Sequence, residues 1–259
     1  VTHEDIDVGV TYDETPPVID ELTLTSNNEN GPTLAKDNDI LTLELVANEF
    51  LQRPTFSIAG ETTITEAAGA TDASWSGTYQ MDDDDTEGDQ VIQITFMDYA
   101  GNACESDDCG ATPTPTSDGI AVRFDRTLPT LDLVKIESSN TGTLGQLLQV
   151  ATIGDILILS IEASEDLKSA PVFTIYPDAA AGGTDITVTQ GTSAANWSGT
   201  YPMQLGDLEG VVPFSIYFED LVGNPTENPV TETTNNSNIT FDKTPTNISN
   251  VVIDLVDAS

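Results

Sequence analysis

The sequence is poor in the groups that most protein chemistry uses. It holds one histidine, two cysteines, and seven lysines and arginines together. A lone His3 offers no partnered base for Ser-His-Asp or Cys-His catalysis, and too few nitrogens for zinc. No phosphate loop or dinucleotide fingerprint is present. With 44 Asp plus Glu, a carboxylate pair at glycosidase spacing could be drawn almost anywhere, so it discriminates nothing. The chain therefore reads as a non-enzyme. The shortage of cations argues against nucleic acid, whose binding depends on displacing phosphate counterions. It argues equally against anionic lipid. No apolar run approaches the ~20 residues of a membrane helix. No signal-type leader is present and Val1 is not an initiator, so the sequence reads as processed or cut from something longer.

What is present in excess is negative charge. The formal net charge is −37, which implies a self-repelling surface, a saline habitat or metal counterions. Hydrophobic residues make up 38% of the chain, enough for cores that are not rich.

The chain also repeats itself. "DILTLELVANE" at 39–49 returns as "DILILSIEASE" at 155–165, and "PTFSI" at 54–58 as "PVFTI" at 171–175. "WSGTYQM" at 75–81 returns as "WSGTYPM" at 197–203, and "DTEG" at 85–88 as "DLEG" at 207–210. "QITFMDYAGN" at 93–102 returns as "SIYFEDLVGN" at 215–224. A phrase of the form Asp-x-Thr follows an alternating strand at Asp13, Asp125 and Asp242, about 115 residues apart. Order is kept and only loops change length, which indicates duplication of a unit the size of an immunoglobulin-like sandwich.

Within a unit the period is two. Leu41, Leu43 and Leu45 alternate with polar residues, as do Leu157, Leu159 and Ile161. Ile92, Ile94 and Phe96 do the same, matched by Phe214, Ile216 and Phe218. One apolar face per strand is the half-buried β signature, and no segment keeps a helical stripe. Seven strands per unit are expected. In the first unit they fall near 18–24, 39–47, 55–59, 62–66, 74–80, 91–97 and 120–125. In the second they fall near 131–137, 155–163, 172–176, 185–190, 196–203, 211–219 and 238–242. Trp75 and Trp197 occupy matching places and are expected to pack rather than to stack sugars. The fold class is all-β: tandem Ig-like seven-stranded β-sandwiches in a head-to-tail array. Residues 15–126 and 127–243 form the two units. Residues 1–14 read as the last strand of a preceding unit, and 244–259 as the first strand of a following one. A lone edge strand needs a unit to join, in a longer chain or in a neighbour that accepts it by strand addition.

At "MDYAGN … VRFDRTLPTL" and "EDLVGN … ITFDKTPTNI" the chain resembles the tandem bacterial Ig-like repeats of large secreted adhesins and cell-surface stalk proteins. The resemblance covers both units and the flanking pieces. It implies rods or spacers outside the cell, and calcium at many junctions. Long middle loops, a cysteine pair in one unit only and the run "MDDDDTEGD" depart from that pattern.

The residues make their own case for a metal. In this topology the loops after the second and sixth strands lie at the pole where the chain comes in. Glu49, Asp98 and Asn102 would meet Asp13 there. Glu165, Asp220 and Asn224 would meet Asp125 in the next unit, and Asp242 would serve the joint after that. Converging carboxylates repel unless a cation neutralises them. Calcium suits 6–8 oxygen ligands, whereas magnesium demands stricter octahedral geometry. The plain alternative is that these acids are solvated or cap their own turns. Asp85, Glu87, Asp207 and Glu209 fall at the opposite pole and read as surface turns, the alternative being that they extend the next junction, with the run Asp82–Asp85 as a solvated face.

Cys104 and Cys109 can close a disulfide in an oxidising setting. Sequons stand at Asn196, Asn235, Asn238 and Asn247, and "ATPTPTS" at 111–117 could carry O-linked sugar. The function expected is a structural segment of an extracellular fibre or surface stalk, its partners being neighbouring repeats or subunits. The alternative is a pair of accessory carbohydrate- or protein-binding domains of a surface enzyme or receptor.

Overall fold

The computed structural model describes residues 12–69, 71–105, 114–141, 145, 148–178, 182–247 and 249. The strands expected in residues 1–11 and 251–259 lie outside these. The described chain is all-β and divides into two compact units, parting at Thr127/Leu128, with the loop Leu221–Asn224 grouped with the first.

In the first unit the alternation of Leu22 and Leu24, and of Leu41, Leu43 and Leu45, produces β1 (Ile19–Ser26) and β3 (Ile40–Ala47). They pair antiparallel with Leu22 opposite Leu45 and Leu24 opposite Leu43. Strand β6 (Ser74–Gln80) lies on the other side of β3, and β5 (Thr65–Ala68) beyond it, giving the order β1-β3-β6-β5. The second layer holds β4 (Thr55–Ile58) with β8 (Ile92–Thr95). It also holds β9 (Arg123–Phe124), set between β2 (Leu34–Ala35, parallel) and β7 (Gly88–Asp89, antiparallel). The core gathers Leu43 and Leu45 from one layer and Phe56, Ile94 and Phe124 from the other. Each such fully buried side chain is worth about 1.5–3 kcal/mol of transfer free energy.

The second unit repeats the plan. One sheet runs β10 (Leu131–Ser138), β12 (Ile156–Ala163), β16 (Asn196–Pro202), β15 (Val188–Gln190). The other layer has β14 (Gly182–Ile186), β13 (Val172–Asp178) and β18 (Phe214–Tyr217). It also has β19 (Thr240–Phe241) between β11 (Val150–Ala151) and β17 (Gly210–Val211).

Two details depart from the expected strands. The seventh strand shrinks to two residues, and the segment before it is tied to β1 by one side-chain and one backbone bond instead of a ladder. Ser117 Oγ accepts from Leu22 N at 2.8 Å, and Ser117 N donates to Leu22 O at 2.8 Å. The strand expected at 185–190 is two strands that change sheets, β14 pairing with β13 and β15 with β16. Trp75 and Trp197 are half-buried against their cores, each indole N–H donating to a backbone carbonyl.

The glycine of each WSGTY phrase is explained by the opposite layer. A Cβ on Gly77 would sit 2.8 Å from the Phe56 ring and 2.9 Å from Ile64 Cγ2. On Gly199 it would sit 2.8 Å from Ile186 Cδ1. Gly77→Val is therefore expected to overpack the core and cost about 1–3 kcal/mol, read as a lowered urea midpoint at unchanged m-value.

Candidate metal centre

The centre is built where β3 ends. Asn48 ties the incoming chain to that end: its Oδ1 accepts from Val18 N at 2.8 Å and its own N–H donates to Val18 O. Glu49 follows directly. An isolated antiparallel bridge joins Leu51 to Asp98, which brings the loop after β8 alongside.

Asp98 is 1% exposed. Its Oδ1 accepts from Gly101 N at 2.7 Å and Asn102 N at 2.8 Å, and its Oδ2 from Asn102 Nδ2 at 2.8 Å. The turn closes because Gly101 takes a φ of +94°, which a side chain would strain. Burial alone would raise the Asp98 carboxyl. The bonds from the Asn102 side chain and from the Asn102, Gly101 and Ala100 N–H groups outweigh it and hold it below the usual carboxylate range. The stabilisation this gives is present above the unfolded-state pKa and is lost as pH falls through the folded one.

Asp13 arrives on the incoming chain. Its Oδ1 caps Thr15 N at 2.9 Å, and its carbonyl accepts from Asn102 Nδ2 at 3.1 Å. Asp13, Glu49 and Asp98 each offer a carboxylate oxygen, and these oxygens lie within 4.8 Å of one another. Oxygens bound to one calcium can be no more than about 5 Å apart, so these three are close enough to share one such ion, supplying three of the 6–8 oxygens it takes. Burial, then the charges of Asp13 and Asp98, push the Glu49 carboxyl up. Asn102 enters as a donor that clasps Asp98 to the Asp13 carbonyl.

The corresponding residues of the second set are divided between the units. Asp125 closes the first, its Oδ1 capping Thr127 N at 3.0 Å. Glu165 is half-buried and Asp220 fully buried in the second, where Asp220 bridges to Leu167 as Asp98 does to Leu51. Gly223 repeats the positive φ of Gly101, at +92°, and Asn224 is buried. Asp242 is exposed and caps Thr244 N at 2.9 Å. Turn capping thus occurs at all three Asp-x-Thr phrases.

The outgoing pole holds a feature that reading these acids as surface turns missed. Asp85 is not part of a solvated face: it is buried, accepting from Tyr79 Oη at 2.9 Å and Asp82 N at 2.8 Å. Asp207 repeats this with Tyr201 Oη at 3.1 Å and Gln204 N at 2.7 Å. Burial, reinforced by Asp207, pushes the Tyr201 phenol up to about 12. Glu87 Oε1 accepts from Arg126 N at 3.0 Å and Thr127 Oγ1 at 2.7 Å. Glu209 holds Lys243 N at 2.9 Å and Thr244 Oγ1 at 2.6 Å. These bonds, led by the threonine hydroxyl in each case, lower both glutamates. The six-residue Tyr-to-Asp spacing and the two-residue step to Glu recur in both units and were the available signal. Asp82, Asp83 and Asp84 are exposed, with oxygens mutually within 4.8 Å.

Cys104 is half-buried against the first core, and Cys109 lies outside the described residues. Asn235, Asn238 and Asn247 are exposed, while Asn196 is half-buried in β16, its Oδ1 accepting from Thr192 Oγ1.

No family profile and no curated protein matches the chain. Solved structures similar to it include the titin domains Z1Z2 in complex with telethonin, at 13% identity and a TM-score of 0.32, covering 90% of this chain and 98% of that one. Titin A168–169 is 12% identical with a TM-score of 0.28, covering 89% and 100%. Rst D1-D2 is 12% identical with a TM-score of 0.30, covering 89% and 100%. Among the described residues no helix is long and apolar enough to cross a membrane.

Proposed function

We propose that this chain is a load-carrying segment of an extracellular fibre or surface stalk, in which Ig-like units follow one another and calcium stiffens the joints. The observation that carries the reading is the convergence of Asp13, Glu49 and Asp98 oxygens to within 4.8 Å, where the chain comes into the first unit. The same residue types recur in the sequence at Asp125, Glu165 and Asp220. Calcium, when bound, supplies the positive charge that lets three carboxylates share a small volume. The chain's own residues do the positioning: Asn102 clasps Asp98 to the Asp13 carbonyl, and Pro16, Pro129 and Pro245 restrict the linker backbone. In this setting Cys104 and Cys109 form a local disulfide, and the exposed sequons at Asn235, Asn238 and Asn247 are the places a host would glycosylate. The units act by geometry rather than by catalysis.

Small-angle scattering of the full chain in calcium and in chelator tests this. Calcium is expected to narrow the distribution of end-to-end distances, and chelation to broaden it. Identical profiles, together with a melting temperature indifferent to calcium, would overturn the reading.

A further inference from the structure

The duplication makes the two units controls for each other. On the outer face of the second unit, Val172 stands opposite Tyr217 and Thr174 opposite Ser215 across the β13–β18 ladder. Phe173, Ile175, Phe214 and Ile216 are buried in the core, so these neighbours point outward, with Tyr176 one step further along. Val172 is 46% and Tyr217 39% exposed. The matching positions of the first unit are Thr55 opposite Thr95, Ser57 opposite Gln93, and Ala59. The first core closes around Phe56, Ile58 and Ile94 with no tyrosine at any of these places. The second unit therefore carries two outward tyrosines that the shared sandwich does not require.

The rings are also held in place. Strand β14 flanks β13 in the second unit, whereas among the described residues of the first no strand flanks β4 on that side. A Cβ on Gly183 of β14 would overlap Thr174 Cγ2 and sit 2.7 Å from Tyr176 Cε1, so its absence lets Tyr176 lie against the β14 backbone. Toward β18, Tyr176 Oη is hydrogen-bonded to Ser215 Oγ at 3.0 Å. Tyr217 Oη donates to Glu219 Oε1 at 3.3 Å, and Thr174 Oγ1 to Asp185 Oδ1 at 2.6 Å. Val172, opposite Tyr217, precedes Tyr176 by four residues. At about 3.4 Å per residue the two tyrosines are about 13 Å apart along the strands.

We propose that this strip of the second unit binds a neutral polysaccharide, with sugar rings resting on Tyr176 and Tyr217. Charge selects the occupant. An acidic glycan or an acidic protein surface is repelled by a net charge of −37. A basic ligand is drawn first to clustered acids such as Asp82, Asp83 and Asp84, not to side chains that carry no charge. A neutral chain of hydroxyl groups feels neither force. Each tyrosine offers it an apolar ring with a polar tip. Asp185 and Glu219, at the margins of the strip, are carboxylates with several acceptor sites each, so they can take sugar hydroxyls beside the donors they already hold. The length of the strip suits a run of sugar rings better than a single one.

Affinity electrophoresis of the full chain, in gels carrying laminarin, mannan, xylan or galactan, tests this, with alginate as the acidic comparison. Every gel contains chelator, so a failure of calcium at the joints leaves the result unchanged. Retardation by at least one neutral polysaccharide, and none by alginate, is expected. Tyr176→Ala and Tyr217→Ala should each raise the dissociation constant about tenfold, as the loss of an aromatic anchor does. Tyr217→Phe keeps the ring and should raise it much less. Gly183→Val should weaken binding by displacing Tyr176, and Thr95→Ala, at the matching place in the first unit, should change nothing. Thermal melts of each variant guard against misfolding. Free migration in all four neutral gels, retardation that survives both alanine variants, or retardation by alginate as strong as by the neutral chains overturns the proposal. Self-association that depends on the same two tyrosines, seen by sedimentation velocity without any glycan retardation, would make the strip a protein contact and overturn it as well.

Discussion

Phe241→Ala is expected to destabilise the second unit by about 3–5 kcal/mol, the range for deleting a fully buried phenylalanine. Phe241 is 0% exposed and sits on β19, a strand of only two residues. That strand is held by parallel pairing to Val150–Ala151 and antiparallel pairing to Gly210–Val211. So short a ladder cannot stay in place by backbone bonds alone; the ring anchors it in the core. Asp242 is the next residue, so a loosened β19 also loosens the outgoing Asp-x-Thr phrase. Each unit has one tryptophan, and a Trp75→Phe background leaves Trp197 to report the second unit alone. Urea unfolding followed at Trp197 checks the loss; a change under about 1 kcal/mol would mean that Phe241 does not anchor the strand.

Glu49→Gln is expected to change sign with the metal. Burial and the charges of Asp13 and Asp98 raise the Glu49 carboxyl above its ordinary range, so without metal its ionised form is penalised in the folded state. That penalty is present above the folded pKa and disappears as pH falls through it. Glutamine keeps the shape and removes the charge, so the variant should melt higher than wild type in chelator at neutral pH. In calcium the order should reverse. A ligand at a hundredfold excess over its Kd stabilises by about 2.7 kcal/mol, and the variant forfeits much of that. Thermal melts of both proteins, with and without calcium, give the four numbers required. A variant less stable than wild type in chelator would contradict the electrostatic account of Glu49, and equal calcium shifts would remove it from the ligand set.

Much of the fold could be read before any coordinates, because it rests on local periodicity. Alternation in Leu41–Leu45 and Ile92–Phe96 marks faces, and duplication shows which alternations matter. The glycine after Trp-Ser was visible as a repeated residue, but its cause, the Phe56 ring across the sandwich, is a contact between layers that no local pattern encodes. Asp85 shows the limit more sharply. It stands at the end of four consecutive aspartates, and charge runs are normally solvated. Its burial depends on the Tyr79 hydroxyl and on a turn formed with Asp82, which only the folded loop brings together. The sheet change within 182–190 escaped for a similar reason: which neighbour a strand pairs with is decided by distant residues. The residue types of the acid cluster at Asp13, Glu49 and Asp98 were legible through recurrence; the donor role of the Asn102 amide, facing Asp98 and the Asp13 carbonyl, was not.

The glutamate clasp at each outgoing pole has a consequence for how such a chain matures. Glu87 and Glu209 grip the Asp-x-Thr phrase with groups from their own unit, before anything downstream is required. During synthesis from the amino terminus, each sandwich can therefore close its own trailing Asp-x-Thr phrase as soon as its last strand has emerged. That closure waits on nothing made later.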